Sequence, residues 1–178
     1  MSDSVPSAMT DWERRLADLL PLFGHRNWIV VADAAYPEQS SAGVETIVAG
    51  ASQIAVLRKV LDAIAASKHI RAKVYLDYEL HFVQERDAPG VENYKKDLEA
   101  LLRHSMLFKL PHDQIIQKLD QSAHVFKILI VKTEMTIPYT SVFLELDCGY
   151  WNADAEERLR ESMMEAHARA SEAHGKGR

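Results

Sequence analysis

The sequence predicts an α/β fold, a three-layer sandwich around a mainly parallel central sheet, with an appended C-terminal helix. Three observations carry this. Apolar runs bounded by turn residues alternate with segments of helical periodicity along most of the chain, and parallel strands need helical crossovers. "NWIVVADA", Asn27 to Ala34, is a short continuous apolar run ended by an aspartate, the pattern of a strand buried on both faces. The end of the chain, from Asn152, opens with acidic residues and carries one apolar stripe, as an appended helix would. The expected division is an α/β domain over residues 1–152 and a helical extension over 153–178.

Each element has its own signal. Thr10 followed by Glu13 is a capping box, and Trp12, Leu16, Leu19, Leu20 and Phe23 recur at helical spacing. That helix stops at "FGH", where Gly24 is expected to supply the permissive backbone of a sharp turn. After the strand, "EQSSAG" reads as a loop and "VETIVAG" as a short strand or an irregular segment. Ile54, Leu57, Leu61 and Ile64 mark an amphipathic helix.

"RAKVYLDYELHFV" alternates with period two. Val74, Leu76, Tyr78, Leu80 and Phe82 would share one face, and Asp77, Glu79 and His81 the other. A loop, "ERDAPG", leads to a helix carrying Val91, Tyr94, Leu98, Leu101 and Leu102. A shorter helix is expected near "DQIIQKLDQ", and then two strands, "HVFKILIV" and "YTSVFLEL", separated by "KTEMTIP". His124 would start the first of these, and Tyr139 would open the second after Pro138. The last helix carries Leu159, Met163, Ala166 and Ala170 on one stripe and ends in a frayed basic tail.

Composition excludes several function classes. The 178 residues are enough for one domain with a real core. A formal charge of −5, with no basic run interleaved with aromatics, argues against nucleic acid as a partner. The polar opening "MSDSVPSAMTDWERR" lacks the apolar core of a signal peptide, and no apolar run suffices to span a bilayer. A soluble, cytoplasmic protein that does not engage membranes is expected. Cys148, the single cysteine, excludes an intrachain disulfide and reads as a small buried residue.

No phosphate-binding glycine loop, G-x-S-x-G elbow or H-E-x-x-H motif is present. Function must come from residues that the fold brings together. Asp33 closes the first strand at its carboxyl end, where ligands of open α/β sheets dock. His25 lies at the opposite end, roughly 20–25 Å away at about 3.3 Å per residue. Either the turn curls back, or the two belong to a site shared between subunits. The structural alternative makes His25 a turn residue and Asp33 a cap. Asp77, Glu79 and His81 are suited to acid–base work or a divalent metal, or they form a solvated strand face. Tyr139 offers a hydroxyl at a pocket edge.

"GHRNWIVVADAAYP" resembles the start of the D-ribose pyranase and L-fucose mutarotase family, matching at Gly24, His25, Asp33, Ala34 and Pro37. "TEMTIPYTSVFLEL" is similar to that family's closing segment, with Tyr139 on its tyrosine. The resemblance spans roughly residues 10 to 150. It implies a cofactor-free, metal-free isomerase that interconverts cyclic forms of a free monosaccharide, in ring-shaped homo-oligomers with sites between subunits. It implies His25 as the acid–base group, Tyr139 as its hydrogen-bond partner or relay, and Asp33 as a sugar ligand or an orienting group. Asn27 stands where the family has an aspartate, and Ser141 where it has an asparagine. Lys118, with Lys132 as competitor, is the candidate for the family's basic residue. These departures leave a non-catalytic sugar-binding module, for regulation or transport, as the alternative.

Overall fold

The protein's structure, a computed structural model, describes residues 8–175, with side chains through Arg169. The first seven residues, the basic tail and the side chain of Ala170 lie outside the described residues. In chain order the elements are α1 (Asp11–Leu19), β1 (Trp28–Ala32), β2 (Val44–Val48), α2 (Gln53–Ala66), β3 (Ile70–Asp77), α3 (Val91–Leu102), β4 (Met106–Leu110), α4 (His112–Ala123), β5 (Ile128–Lys132), β6 (Val142–Cys148) and α5 (Ala153–Gly175). The sheet order is β2-β5-β1-β6-β3-β4. All neighbouring pairs are parallel except those of β6, which runs antiparallel to β1 and β3.

β1 shows why a continuous apolar run was needed. Ile29 and Val31 face a core built with Trp12 and Leu16 of α1, Leu57 and Val60 of α2, and Leu98 of α3. Trp28, Val30 and Ala32 face the other side, against Ile115, Leu119 and Ala123 of α4. All five β1 residues are buried, and each large aliphatic side chain so buried contributes about 1.5–3 kcal/mol. The capping box of Thr10 and Glu13 starts α1, and Gly50, at φ +58°, turns the chain from β2 into α2.

Several expectations are corrected. β3 ends at Asp77, and Tyr78–Phe82 form a 3₁₀ turn. The reason is loss of partners: β6 begins opposite Leu76 and β4 ends opposite Asp77, so further strand would leave peptide groups unpaired. Asp77, Glu79 and His81 therefore do not share a strand face. "MLFKL" forms β4, which the sequence reading missed because the run is short, exposed and lacks turn signals. α4 continues through Ala123 on the stripe of Ile115 and Leu119, so His124 caps a helix and does not start a strand. β6 begins at Val142, three residues after Tyr139. At the first turn the left-handed residue is Arg26, at φ +73°, and not Gly24.

Cys148 is half-buried. Leu159 and Met163 on α5 are exposed, not packed on the domain. No helix among the described residues is long and apolar enough to cross a membrane.

Candidate active site

The antiparallel β6 decides where chemistry gathers. Its first residue, Val142, lies opposite Val31 of β1 and Leu76 of β3. The turn before β6 is thus wedged between the carboxyl ends of two parallel strands, a position where open α/β sheets bind ligands. Asp33 follows β1, Asp77 ends β3, and Tyr139 to Ser141 form the wedge.

Ser141 and Asp33 are locked reciprocally. The Ser141 hydroxyl donates to Asp33 Oδ2 at 2.8 Å, and the Asp33 amide donates to Ser141 Oγ at 3.2 Å. Asp33 Oδ1 accepts from the Ala35 amide at 2.9 Å, an Asx turn that aims the carboxylate. Across the wedge, His112 begins α4 with its Nδ1 at 3.0 Å from Asp77 Oδ2. The His112 amide donates to both carboxylate oxygens of Glu79, each at 3.0 Å. Two carboxylates thus hold one histidine, through its ring and through its backbone. The Tyr139 ring stands edge-on to the imidazole, centroids 5.8 Å apart. Tyr139 is partly exposed and sits at φ +59°, a left-handed conformation that a bulky residue adopts at a cost.

A buried polar clamp supports the wedge. Gln53, the first residue of α2, is fully buried. Its amide donates to the Thr140 carbonyl, and its Oε1 accepts from the Thr133 hydroxyl at 2.9 Å. Tyr94 of α3 donates its hydroxyl to the same Thr140 carbonyl at 2.7 Å. The single hydroxyl proton of Thr133, just beyond β5, is shared between Gln53 Oε1 and the Ala32 carbonyl, which also lies at 2.9 Å. Helices on one side of the sheet thereby fix the turn that carries Tyr139 and Ser141 on the edge.

Burial dominates the electrostatics. It pushes the Asp77 carboxyl up to about 6, with Glu79 and Asp33 adding to the rise against the opposing pull of His112. Asp77 is 3% exposed, and its Oδ1 has no hydrogen-bond partner. A carboxyl in this condition holds or releases a proton near neutral pH.

The other candidates lie elsewhere. His25 is exposed at the amino end of β1, with Nδ1 at 3.5 Å from Asp147 Oδ1. Burial alone would raise Asp147, but hydrogen bonds from Arg71 and the Cys148 amide, with the charge of Lys73, hold it at about 2. Asn27 shapes the same corner, accepting from the Gly24 amide at 2.8 Å and donating to the Lys127 carbonyl at 3.0 Å. Lys118 lies over the Tyr75 ring, 5.8 Å from its centroid. His81 packs edge-on against Phe82, and no group of three His, Cys, Asp or Glu among the described residues is arranged to hold a metal ion. One chain therefore joins Asp33, Ser141 and Tyr139 but not His25, Asn27 or Lys118. The sequence reading passed over His112, Gln53 and Thr133. The available signal was "LPHD", a proline and an acidic residue at a helix start directly after an apolar run.

The family model for the RbsD / FucU transport proteins matches residues 12–148. The chain belongs to that family. Among curated protein sequences, none matches the chain. Among solved structures, that of Bacillus subtilis RbsD complexed with D-ribose is similar at a TM-score of 0.55 and 18% identity, covering 81% of this chain and 97% of that one. The fucose mutarotase from Streptococcus pneumoniae, in complex with L-fucose, aligns at a TM-score of 0.49 and 20% identity over 82% of this chain and 98% of that one. As an RbsD / FucU protein, this chain carries α5 beyond the matched segment.

Proposed function

We propose that this protein is a cofactor-free, mutarotase-like isomerase acting on a free monosaccharide in the cytoplasm. One observation carries the reading: Asp33, the Asp77–His112 pair and Tyr139 meet on a single edge of the sheet. Sugar hydroxyls need donors and acceptors together, which His112, Tyr139 and the two carboxylates supply. Ring opening needs one group to take the proton from the anomeric hydroxyl while another protonates the ring oxygen. The aldehyde so formed recloses on its other face, or through another hydroxyl. His112, backed by Asp77, has the chemistry of an acid–base group, with Tyr139 as its neighbour. His25 serves the site of an adjacent copy in a homo-oligomer, as the family resemblance implies, because its own strand separates it from Asp33. The resemblance to a ribose-bound relative supports the sugar class.

Exchange NMR on a panel of free aldoses tests this with wild type, His112→Ala and His25→Ala. Accelerated exchange between ring forms of one sugar, lost in both variants, is the expected result. Binding without acceleration favours the second reading, a sugar-binding module. Two departures support that reading: Asn27 and Ser141 stand where the resembled family has an aspartate and an asparagine.

A further inference from the structure

Two buried polar atoms near this edge have no partner among the described residues: the Tyr36 hydroxyl and Asp77 Oδ1. Tyr36 is 6% exposed. Its amide closes a turn on the Asp33 carbonyl at 3.3 Å, and its ring packs on Phe143 with centroids 6.3 Å apart. Phe143 lies two residues along β6 from Ser141, so the phenol belongs to the same sheet face as Ser141 and Tyr75. Burial raises the phenol well above the ordinary tyrosine range, and the charges of Asp120, Asp77 and Asp33 raise it further. Tyr36 thus stays a neutral donor within the field of both site aspartates.

Native structures seldom leave such atoms unpaired, and those that remain are commonly met by a water or a ligand. Two orphans of complementary character are present here. The phenol can donate, and Asp77 Oδ1 can accept when ionised, its companion Oδ2 being held by His112. A sugar hydroxyl both accepts and donates, the two capacities that these atoms leave unmatched.

We propose that Tyr36 and Asp77 Oδ1 form an inner subsite for a single hydroxyl of the sugar, which makes Tyr36 a specificity-determining residue. The proposal rests on the sugar-binding reading of this edge. Its chemical content is discrimination between a sugar and its monodeoxy analogue, since a site built to bond a hydroxyl rejects the compound lacking it.

Titration calorimetry with the preferred aldose and its monodeoxy analogues, on wild type and Tyr36→Phe, tests the subsite. In wild type one analogue is expected to bind about tenfold or more weaker than the parent. In Tyr36→Phe that gap shrinks to about twofold, because the parent weakens while the analogue does not. Equal weakening of the parent and all analogues, or no weakening, overturns the subsite and leaves the sugar reading standing. Absence of binding by any aldose to wild type overturns both. The sugar-free protein provides a separate readout: Tyr36→Phe is expected to melt at an equal or higher temperature, since the hydroxyl has no protein partner to lose. A lower melting temperature would mean the hydroxyl is already bonded, and would sink the proposal.

Discussion

Asp77 Oδ2 lies 3.0 Å from His112 Nδ1, joining the end of one strand to the first residue of the helix after the next. The bond is shielded on the carboxylate side, where the Asp77 side chain is 1% exposed, and open on the histidine side, where 36% remains. A proton held there can reach a ligand but not bulk water through the aspartate.

The first prediction concerns pH and stability. Burial, assisted by Glu79 and Asp33, raises Asp77 from 3.8 to about 6 in the folded chain. The folded state therefore binds more protons than the unfolded state between those values. Stability from this group is fully present below about pH 4 and is lost as pH rises through about 6. The loss is on the order of 3 kcal/mol at most. Urea unfolding of wild type and Asp77→Asn across pH 4–7 should show this slope in the former only. Identical slopes would mean that Asp77 titrates normally.

The second prediction separates a shared site from a local one. If His25 completes the site of a neighbouring copy, His25→Ala and His112→Ala are each inactive alone. Mixed and co-refolded, they recover a measurable fraction of sugar exchange, because some interfaces then carry both histidines. Recovery no greater than the sum of the separate variants would refute a shared site.

Gln53 tests the clamp. Its Ala variant leaves the Thr140 carbonyl with Tyr94 alone and the Thr133 hydroxyl with the Ala32 carbonyl alone. A loss of about 2–4 kcal/mol is expected, combining the lost Gln53 hydrogen bonds with a cavity. A change under about 0.5 kcal/mol in chemical denaturation would show that the turn holds itself.

Tyr139 tests backbone strain against function. At φ +59° a glycine is the comfortable residue. Tyr139→Gly should leave stability unchanged or raise it by up to about 1 kcal/mol while abolishing sugar exchange. Tyr139→Phe keeps the ring against His112 but removes the hydroxyl. Activity in that variant would assign Tyr139 to positioning and not to proton relay.

Ser141 and Asp33 offer a simpler check. Ser141→Ala removes a donor to Asp33 Oδ2 and an acceptor for the Asp33 amide. The expected loss is about 1–2 kcal/mol, and the freed carboxylate should change sugar affinity. A variant unchanged in both melting temperature and affinity would assign this lock no role.

Much of the architecture was legible because it rests on periodicity. The capping box of Thr10 and Glu13, the stripes of α2 and α3 and the uninterrupted run of β1 each state their burial directly. Asp33 was legible as a candidate because a carboxylate at a strand's carboxyl end has a known use. Local pattern failed where neighbours decide. The alternation through Tyr78 and Phe82 described a strand that has no partner beyond Asp77, and β4 was too short to announce itself. His112 stood out in no local pattern, since its importance depends on Asp77, 35 residues earlier.

The sequence by itself determined the layers, the mainly parallel sheet and the place of Asp33 at the carboxyl end of its strand, because side-chain period and turn chemistry are local properties. Only the tertiary structure decided that β6 runs antiparallel between β1 and β3 and drives its turn between their ends. That placement pairs Asp77 with His112, leaves His25 on the far edge and buries the Tyr36 hydroxyl without a partner. These are long-range outcomes of strand order, set by which sheet edges and helix faces can satisfy one another's hydrogen bonds and apolar surface.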